Sequence, residues 1–285
     1  PMLAQIAGAL TNIVLDPVLI FGLGPVPHMG IAGAAIASSV SEAVSLLFFI
    51  IYTGTTADKR KYGFRRAFTF RPHLLKGMLS ISGWTMVQSF ISVSIWFIFF
   101  LAIEHLGERP LAVTNIVRNI SALLIMVISA FATTAGALIS NQIGAGEQRY
   151  LFRTCGMTLN LTYAILVPLL VILCLFPEPV LRVFTDNPSL IAASINSVYV
   201  MSTSTLIMAP AFILFNAVSG TGNTKAGFIM EMISLAVYTA AVYYIVIRLK
   251  PDVALCWFSE HVYGIALIAL AWWYLKSGKW RGKKV

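Results

Sequence analysis

The sequence predicts an all-α, polytopic membrane protein of about eight transmembrane helices. Three observations predict it. First, 58% of the residues are apolar and only 11% are charged, with a mean hydropathy of +0.84, where a soluble domain is about a quarter charged and a little under half apolar. Second, eight apolar runs of about 20 residues, each long enough to cross a bilayer, recur along the 285 residues. Third, these runs lack period-2 alternation, which argues against a membrane β-barrel.

The first run, 2–23, carries Asn12, Asp16 and Pro17 in its second half, and it ends in the turn Gly24-Pro25-Val26-Pro27. The second, 31–53, opens on a face of Gly30, Gly33, Ala34, Ala35, Ala37 and Ser38, which lets a neighbouring helix approach closely. A basic loop, 54–78, follows. The third run, 79–106, closes at Gly107-Glu108-Arg109-Pro110, and the fourth is 111–139. After a loop at 140–154 containing Gly144-Ala145-Gly146 comes the fifth, 155–176. The segment 177–194, with Leu181, Val183, Phe184 and Leu190, reads as a short amphipathic surface element. The remaining spans are 195–218, 226–247 and 255–275, with Gly220-Thr221-Gly222-Asn223 turning the chain between the first two.

Charge fixes the expected orientation. Loops 54–78, 140–154 and 219–225, with the tail 276–285, hold fifteen Lys and Arg residues, against four on the opposite side. The basic side is expected to be cytoplasmic, with the C-terminus inside. The net charge of +9 therefore reads as topology, and no nucleic-acid partner is expected. Trp257, Trp272, Trp273, Tyr274 and Trp280 suit an interfacial belt around the last helix. Cys155, Cys174 and Cys256 have neither metal-ligand spacing nor a disulfide pattern. No signal peptide precedes the first run, and because Pro1 stands directly before a helical segment, an upstream portion is expected.

Ionisable residues within spans are costly and usually face a cavity, a partner or an ion route. Asp16 has the richest context. Asn12 lies four residues before it, on the same helix face, and Pro17 leaves a carbonyl of the preceding turn without its amide partner. Carboxylate, amide oxygen and freed carbonyl together suit a small hard cation such as Na+. The carboxyl can instead carry a proton, or simply bond a neighbouring helix. Glu42, one turn after Ser38, is a candidate for the same polar cluster. Glu231 lies about one turn inside its span, where snorkelling to the surface is an adequate explanation. Arg118, with Asn115 and Asn119 beside it, is equally suited to structural pairing and to substrate contact. Gln88, Asn160 and Asn216 are candidates to line a cavity, although amides also serve as helix–helix glue. His28, His73, His105 and His261 are scattered, and no catalytic constellation is visible, so an enzyme is not expected.

Asn12-Ile13-Val14-Leu15-Asp16-Pro17, Gly33-Ala34-Ala35-Ile36-Ala37-Ser38 and Gly220-Thr221-Gly222-Asn223-Thr224 resemble the multidrug and toxic compound extrusion (MATE) transporters. The resemblance implies twelve helices in two lobes of six, of which this chain matches the fifth to the twelfth, the last two-thirds. It then divides into the end of the N-lobe (1–53), a cytoplasmic inter-lobe linker (54–78), a C-lobe (79–275) and a basic tail (276–285). The implied function is a secondary antiporter in the plasma (bacterial inner) membrane, exporting organic, often cationic, compounds in exchange for Na+ or H+. It needs no further cofactor, and its partners are the small substrate and lipid, with a monomer expected. Asn12 and Asp16 match the coupling positions of one branch of the family. Ser38 stands at its hydroxyl position, where Thr is common. Another branch uses acids where this chain has Gln88 and Asn216, which argues against coupling in the C-lobe. A lipid-linked oligosaccharide flippase is the nearest rival, but it needs several cavity cations and only Arg118 is offered. A non-transport intramembrane enzyme is the more distant one.

Overall fold

The computed structural model describes residues 2–23, 27–56, 71–278 and 280. Most of the basic loop 54–78, the turn 24–26 and most of the tail 276–285 lie outside the described residues. Ten α-helices are formed among the described residues: α1 (Met2–Phe21), α2 (Gly30–Thr56), α3 (Pro72–Glu104), α4 (Glu108–Gly144), α5 (Leu151–Leu175), α6 (Pro177–Arg182), α7 (Pro188–Gly220), α8 (Thr224–Val242), α9 (Val253–Cys256) and α10 (Phe258–Ser277). A 3-10 turn, Gln148–Tyr150, leads into α5, and α8 continues as a wide π-helical turn over Tyr243–Leu249. Eight of the resulting helical rods are long and apolar enough to cross a membrane. The all-α, eight-span architecture is therefore as expected from the sequence.

The chain divides into two compact units, 1–74 and 75–285. The first is the antiparallel pair α1 and α2, locked by small residues and hydroxyls. Ser41 Oγ donates to the Gly8 carbonyl at 2.6 Å, and Ser45 Oγ donates to the Ala4 carbonyl at 3.0 Å. A Cβ on Gly33 would strike the backbone of Leu19. The small face is thus used for close approach, with the contact stripe Gly33, Ala37 and Ser41 buried.

The second unit is built around α4 and α7, which run parallel. Arg109 donates to the Ser189 carbonyl at one end, at 3.2 Å, while at the other a Cβ on Gly220 would lie 2.5 Å from the Gly136 carbonyl oxygen. Only glycine lets the two backbones meet there. Val113, Val117, Ile120, Leu124 and Ile128 of α4 pack with Val198, Met201, Met208 and Ala209 of α7 to form one half of the core. Ala132, Ala135 and Ile139 pack with Ile213, Ala217 and Val218 to form the other half. A third cluster, Phe99, Ile103, Tyr238, Val242, Val246 and Cys256, joins α3 to α8 and α9.

Several boundaries differ from those expected, each for a local reason. The segment 177–194 is not one element. Asn187 caps α7 by accepting from the Ser189 amide at 3.0 Å, and Pro188 occupies the first helical position, so 188–194 forms the opening turns of α7. The last span is likewise preceded by the short helix α9, whose N-terminus Asp252 caps at 2.8 Å. At 33 residues, α3 and α7 would each measure about 50 Å against a hydrocarbon core of about 30 Å, which requires tilt or projection beyond it.

Candidate functional site

In the first unit, Asp16 sits on α1 one residue before Pro17. The proline ring has no N–H to give the Ile13 carbonyl four residues back, so the polar group next to Asp16 is released by the backbone itself. Asp16 Oδ1 is buried and has no hydrogen-bond partner among the described residues. Asn12, one turn earlier, is half-buried, and Ser38 is exposed on α2. No hydrogen bond joins Asn12, Asp16 and Ser38 among the described residues. Glu42 is exposed and lies apart from them, in a hollow of about 270 Å³ with Ala4, Gln5, Ser45, Leu46 and Phe49. Gln5 is eleven residues from Asp16, roughly 16 Å along the helix. Glu42 therefore belongs to a different level of the pair.

In the second unit, a cavity of about 520 Å³ opens among α3, α4, α7, α8 and α10. Its walls are mostly apolar and aromatic, with Trp96, Met126, Met208, Phe212 and Leu235 among the lining residues. Into this wall the helices set a small group of polar side chains: Ser92, Arg118, Glu231, Tyr238, Glu260 and Tyr263. The spacing of Glu231 and Tyr238 on α8, and of Glu260 and Tyr263 on α10, places each pair on one helix face.

Glu231 is only 4% exposed. Its Oε1 accepts from Ser92 Oγ on α3 and from the Tyr263 hydroxyl on α10, both at 2.9 Å, while Oε2 is buried without a partner. Glu260 Oε1 accepts from the Tyr238 hydroxyl at 2.9 Å. The two tyrosine rings meet edge to face with centroids 5.8 Å apart, so the paired carboxyl–tyrosine units are packed against each other. Arg118 lies over the Phe100 ring, 5.3 Å from its centroid, and its Nε is buried without a hydrogen-bond partner. No ion pair joins Arg118 to Glu231 or Glu260 among the described residues.

The sequence-level candidates thus separate into groups. Arg118 lines the cavity. Gln88 lies one turn before Ser92 and is not among the lining residues. Asn216 Nδ2 donates back to the Phe212 carbonyl at 2.9 Å, and its backbone lies against Gly136 at the α4–α7 crossing. It acts there as part of the helix crossing. Glu231 does not snorkel: the helix buries its carboxylate inward, where two hydroxyls from other helices receive it. Glu260, Tyr238 and Tyr263 were not legible as site residues. The signal that marks Glu260 and Tyr263 is an acid five residues into the last apolar run, with a tyrosine one turn on. Among the described residues no cluster of His, Cys, Asp and Glu is suited to hold a metal ion.

The MatE family model matches residues 85–245. The chain is 25% identical over 297 aligned residues to the probable multidrug resistance protein NorM of Thermotoga maritima, covering 100% of this chain and 61% of that protein. It is 24% identical over 246 residues to the uncharacterized transporter YisQ of Bacillus subtilis, covering 82% of this chain and 51% of that protein. In fold it resembles the outward-facing conformation of a multidrug resistance MATE family transporter of the MOP superfamily. The TM-score is 0.84 and the identity 19%, over 97% of this chain and 61% of that one. The chain therefore spans between about half and two-thirds of the length of these relatives.

Proposed function

Because the chain belongs to the MatE family of multi-pass membrane transporters, we propose that it is the larger part of a secondary antiporter that exports organic compounds in exchange for Na+ or H+. The observation that carries this reading is Asp16. A carboxyl oxygen buried without a partner in an apolar helix, beside a carbonyl that proline has released, is a site with unmet demand for a cation. Na+ answers that demand through carboxylate, carbonyl and amide oxygens, with Asn12 one turn away supplying the last. A proton answers it by neutralising the carboxyl.

Exchange then requires only that ion and substrate favour opposite-facing states or compete for one space, since each shifts the equilibrium by its differential affinity. No bond is made or broken, and no cofactor beyond the coupling ion takes part. We place the protein in the bacterial inner membrane as a monomer, with the basic loops and the C-terminus in the cytoplasm.

The test uses the full-length protein in proteoliposomes loaded with a fluorescent organic cation, driven by an imposed Na+ or H+ gradient. Asp16→Asn keeps the shape and removes the charge. It is expected to abolish gradient-driven export while leaving membrane insertion and unfolding temperature near those of the parent. Export by that variant at the parental rate would overturn the coupling role.

A further inference from the structure

The start of α5 and the end of α10 meet in one corner, at the ends of two spans. Leu151 and Cys155 of α5 share a buried cluster with Ala271, Tyr274 and Leu275 of α10. Outside that seam the Phe152 and Trp272 rings pack with centroids 5.1 Å apart, yet Phe152 stays 39% exposed and Trp272 49%. Helix α5 runs away from this corner and α10 runs into it. The turn before Phe152 and the turn after Trp272 therefore stand at one level, just beyond the aromatic pair. They carry Arg149 and Lys276, while Arg153 adjoins Phe152, and all three cations are exposed. Trp272 and Lys276, four residues apart, share a face of α10.

The corner is short of counter-charge. Helix α5 holds no Asp or Glu, and none follows Glu260 to the C-terminus. The acid nearest the two arginines in sequence is Glu147, and no ion pair joins any of the three cations to a carboxylate among the described residues. Arg149 instead lies over the Tyr150 ring, 4.6 Å from its centroid. Three cations against one acid leave a surplus of two positive charges. The start of α5 adds the positive end of a 25-residue helix that has no side-chain cap.

From this geometry we propose that the corner is a docking surface for cardiolipin, a lipid whose two phosphodiesters match that surplus. The phosphates sit among Arg149, Arg153 and Lys276, with the arginines free to bind phosphate oxygens through two N–H groups at once. The acyl chains run along the exposed Phe152–Trp272 pair, at the depth where aromatic side chains divide headgroup from hydrocarbon. A zwitterionic lipid leaves the surplus unanswered, and a lipid with one phosphate answers half of it.

The test is native mass spectrometry of the full-length protein released from detergent, titrated with tetraoleoyl cardiolipin, dioleoyl phosphatidylglycerol or dioleoyl phosphatidylcholine. Cardiolipin is expected to bind at least about tenfold more tightly than phosphatidylglycerol, a difference of about 1.4 kcal/mol, with phosphatidylcholine weaker still. Arg149→Gln, Arg153→Gln and Lys276→Gln combined should weaken cardiolipin binding at least about tenfold. Lys59→Gln, Arg60→Gln and Lys61→Gln combined, which take the same charge from the loop 54–78, should change it less than about twofold. One equivalent of cardiolipin with brominated acyl chains should quench the tryptophan fluorescence of the parent, and quench it less in Trp272→Phe. Equal affinity for phosphatidylglycerol overturns the proposal, as does an equal loss in both triple variants, which would mean general charge attraction. So does equal quenching in parent and Trp272→Phe, a reading that does not depend on the triple variants folding. If cardiolipin binds as expected while proteoliposomes show no gradient-driven export, the export reading fails and the lipid surface stands.

Discussion

Tyr263 donates its phenolic hydroxyl to Glu231 Oε1 at 2.9 Å, tying α10 to α8 through an oxygen that also accepts from Ser92 on α3. Three helices that are distant in sequence thus share one carboxylate. Tyr263→Phe removes one donor and keeps the ring. The expected loss is about 1 kcal/mol, in the range measured for hydrogen bonds between membrane helices. It should appear as a lower unfolding temperature of the detergent-solubilised protein. Phe at both Tyr263 and Tyr238 should cost less than the sum of the singles if the two packed tyrosines support each other, a coupling that a double-mutant cycle reads directly.

The parallel crossing of α4 and α7 depends on Gly136 and Gly220. A Cβ on Gly220 meets the Gly136 carbonyl, which is backbone and has no rotamer to move away. Gly220→Val should therefore destabilise by at least about 1–3 kcal/mol, the cost of overpacking, and lower the yield of monodisperse protein on gel filtration. Gly156→Ala in α5 is the control. Nothing lies within 4 Å of its added carbon, and unfolding temperature should stay level or rise.

Asn223 does two things at the start of α8. Its Oδ1 accepts from the Ala226 amide at 3.3 Å, and its Nδ2 donates to the Tyr274 hydroxyl on α10 at 2.5 Å. Asn223→Asp keeps the cap and loses the donor, while Asn223→Ala loses both. Thermal unfolding should rank parent above Asp above Ala, with the full loss about 1–2 kcal/mol. Equal values for Asp and Ala would show that the cap contributes nothing.

Pro17→Ala restores an amide that can bond the Ile13 carbonyl. It should straighten α1 and stabilise it as a helix, while reducing gradient-driven export because a released carbonyl is lost from beside Asp16. Raised export in this variant would argue that the proline is only a fixed kink.

The spans were legible because bilayer thickness imposes a length and an apolar composition that any reading of the chain can find. Their ends were not, because caps such as Asn187 and Asp252 act through single side chains inside polar stretches. The small stripe on α2 was legible as a contact face, although its partner Gly8 on α1 was not singled out. The cavity of the second unit was mostly hidden. Glu231 carries no local mark that separates an acid reaching for water from one turned inward. That distinction is made by Ser92, 139 residues away in sequence, and by Tyr263. Glu260 was concealed by its place beside Ser259 and His261 near the start of the last span, where polar residues commonly mark a helix end.

The π-helical turn at Tyr243–Leu249 sets the angular phase of α8. Ser234, Tyr238, Val242 and Val246 are buried at steps of four, and in an α-helix each such step slews about 40° around the axis. A wider turn takes up part of that slew, so Val246 stays with the stripe that Tyr238 begins. The surplus residue works like a leap day, inserted so that two unequal periods keep the same calendar. Deleting one residue from 243–249 would leave Glu231 and Tyr238 where they are and rotate everything beyond them, beginning with the cap at Asp252.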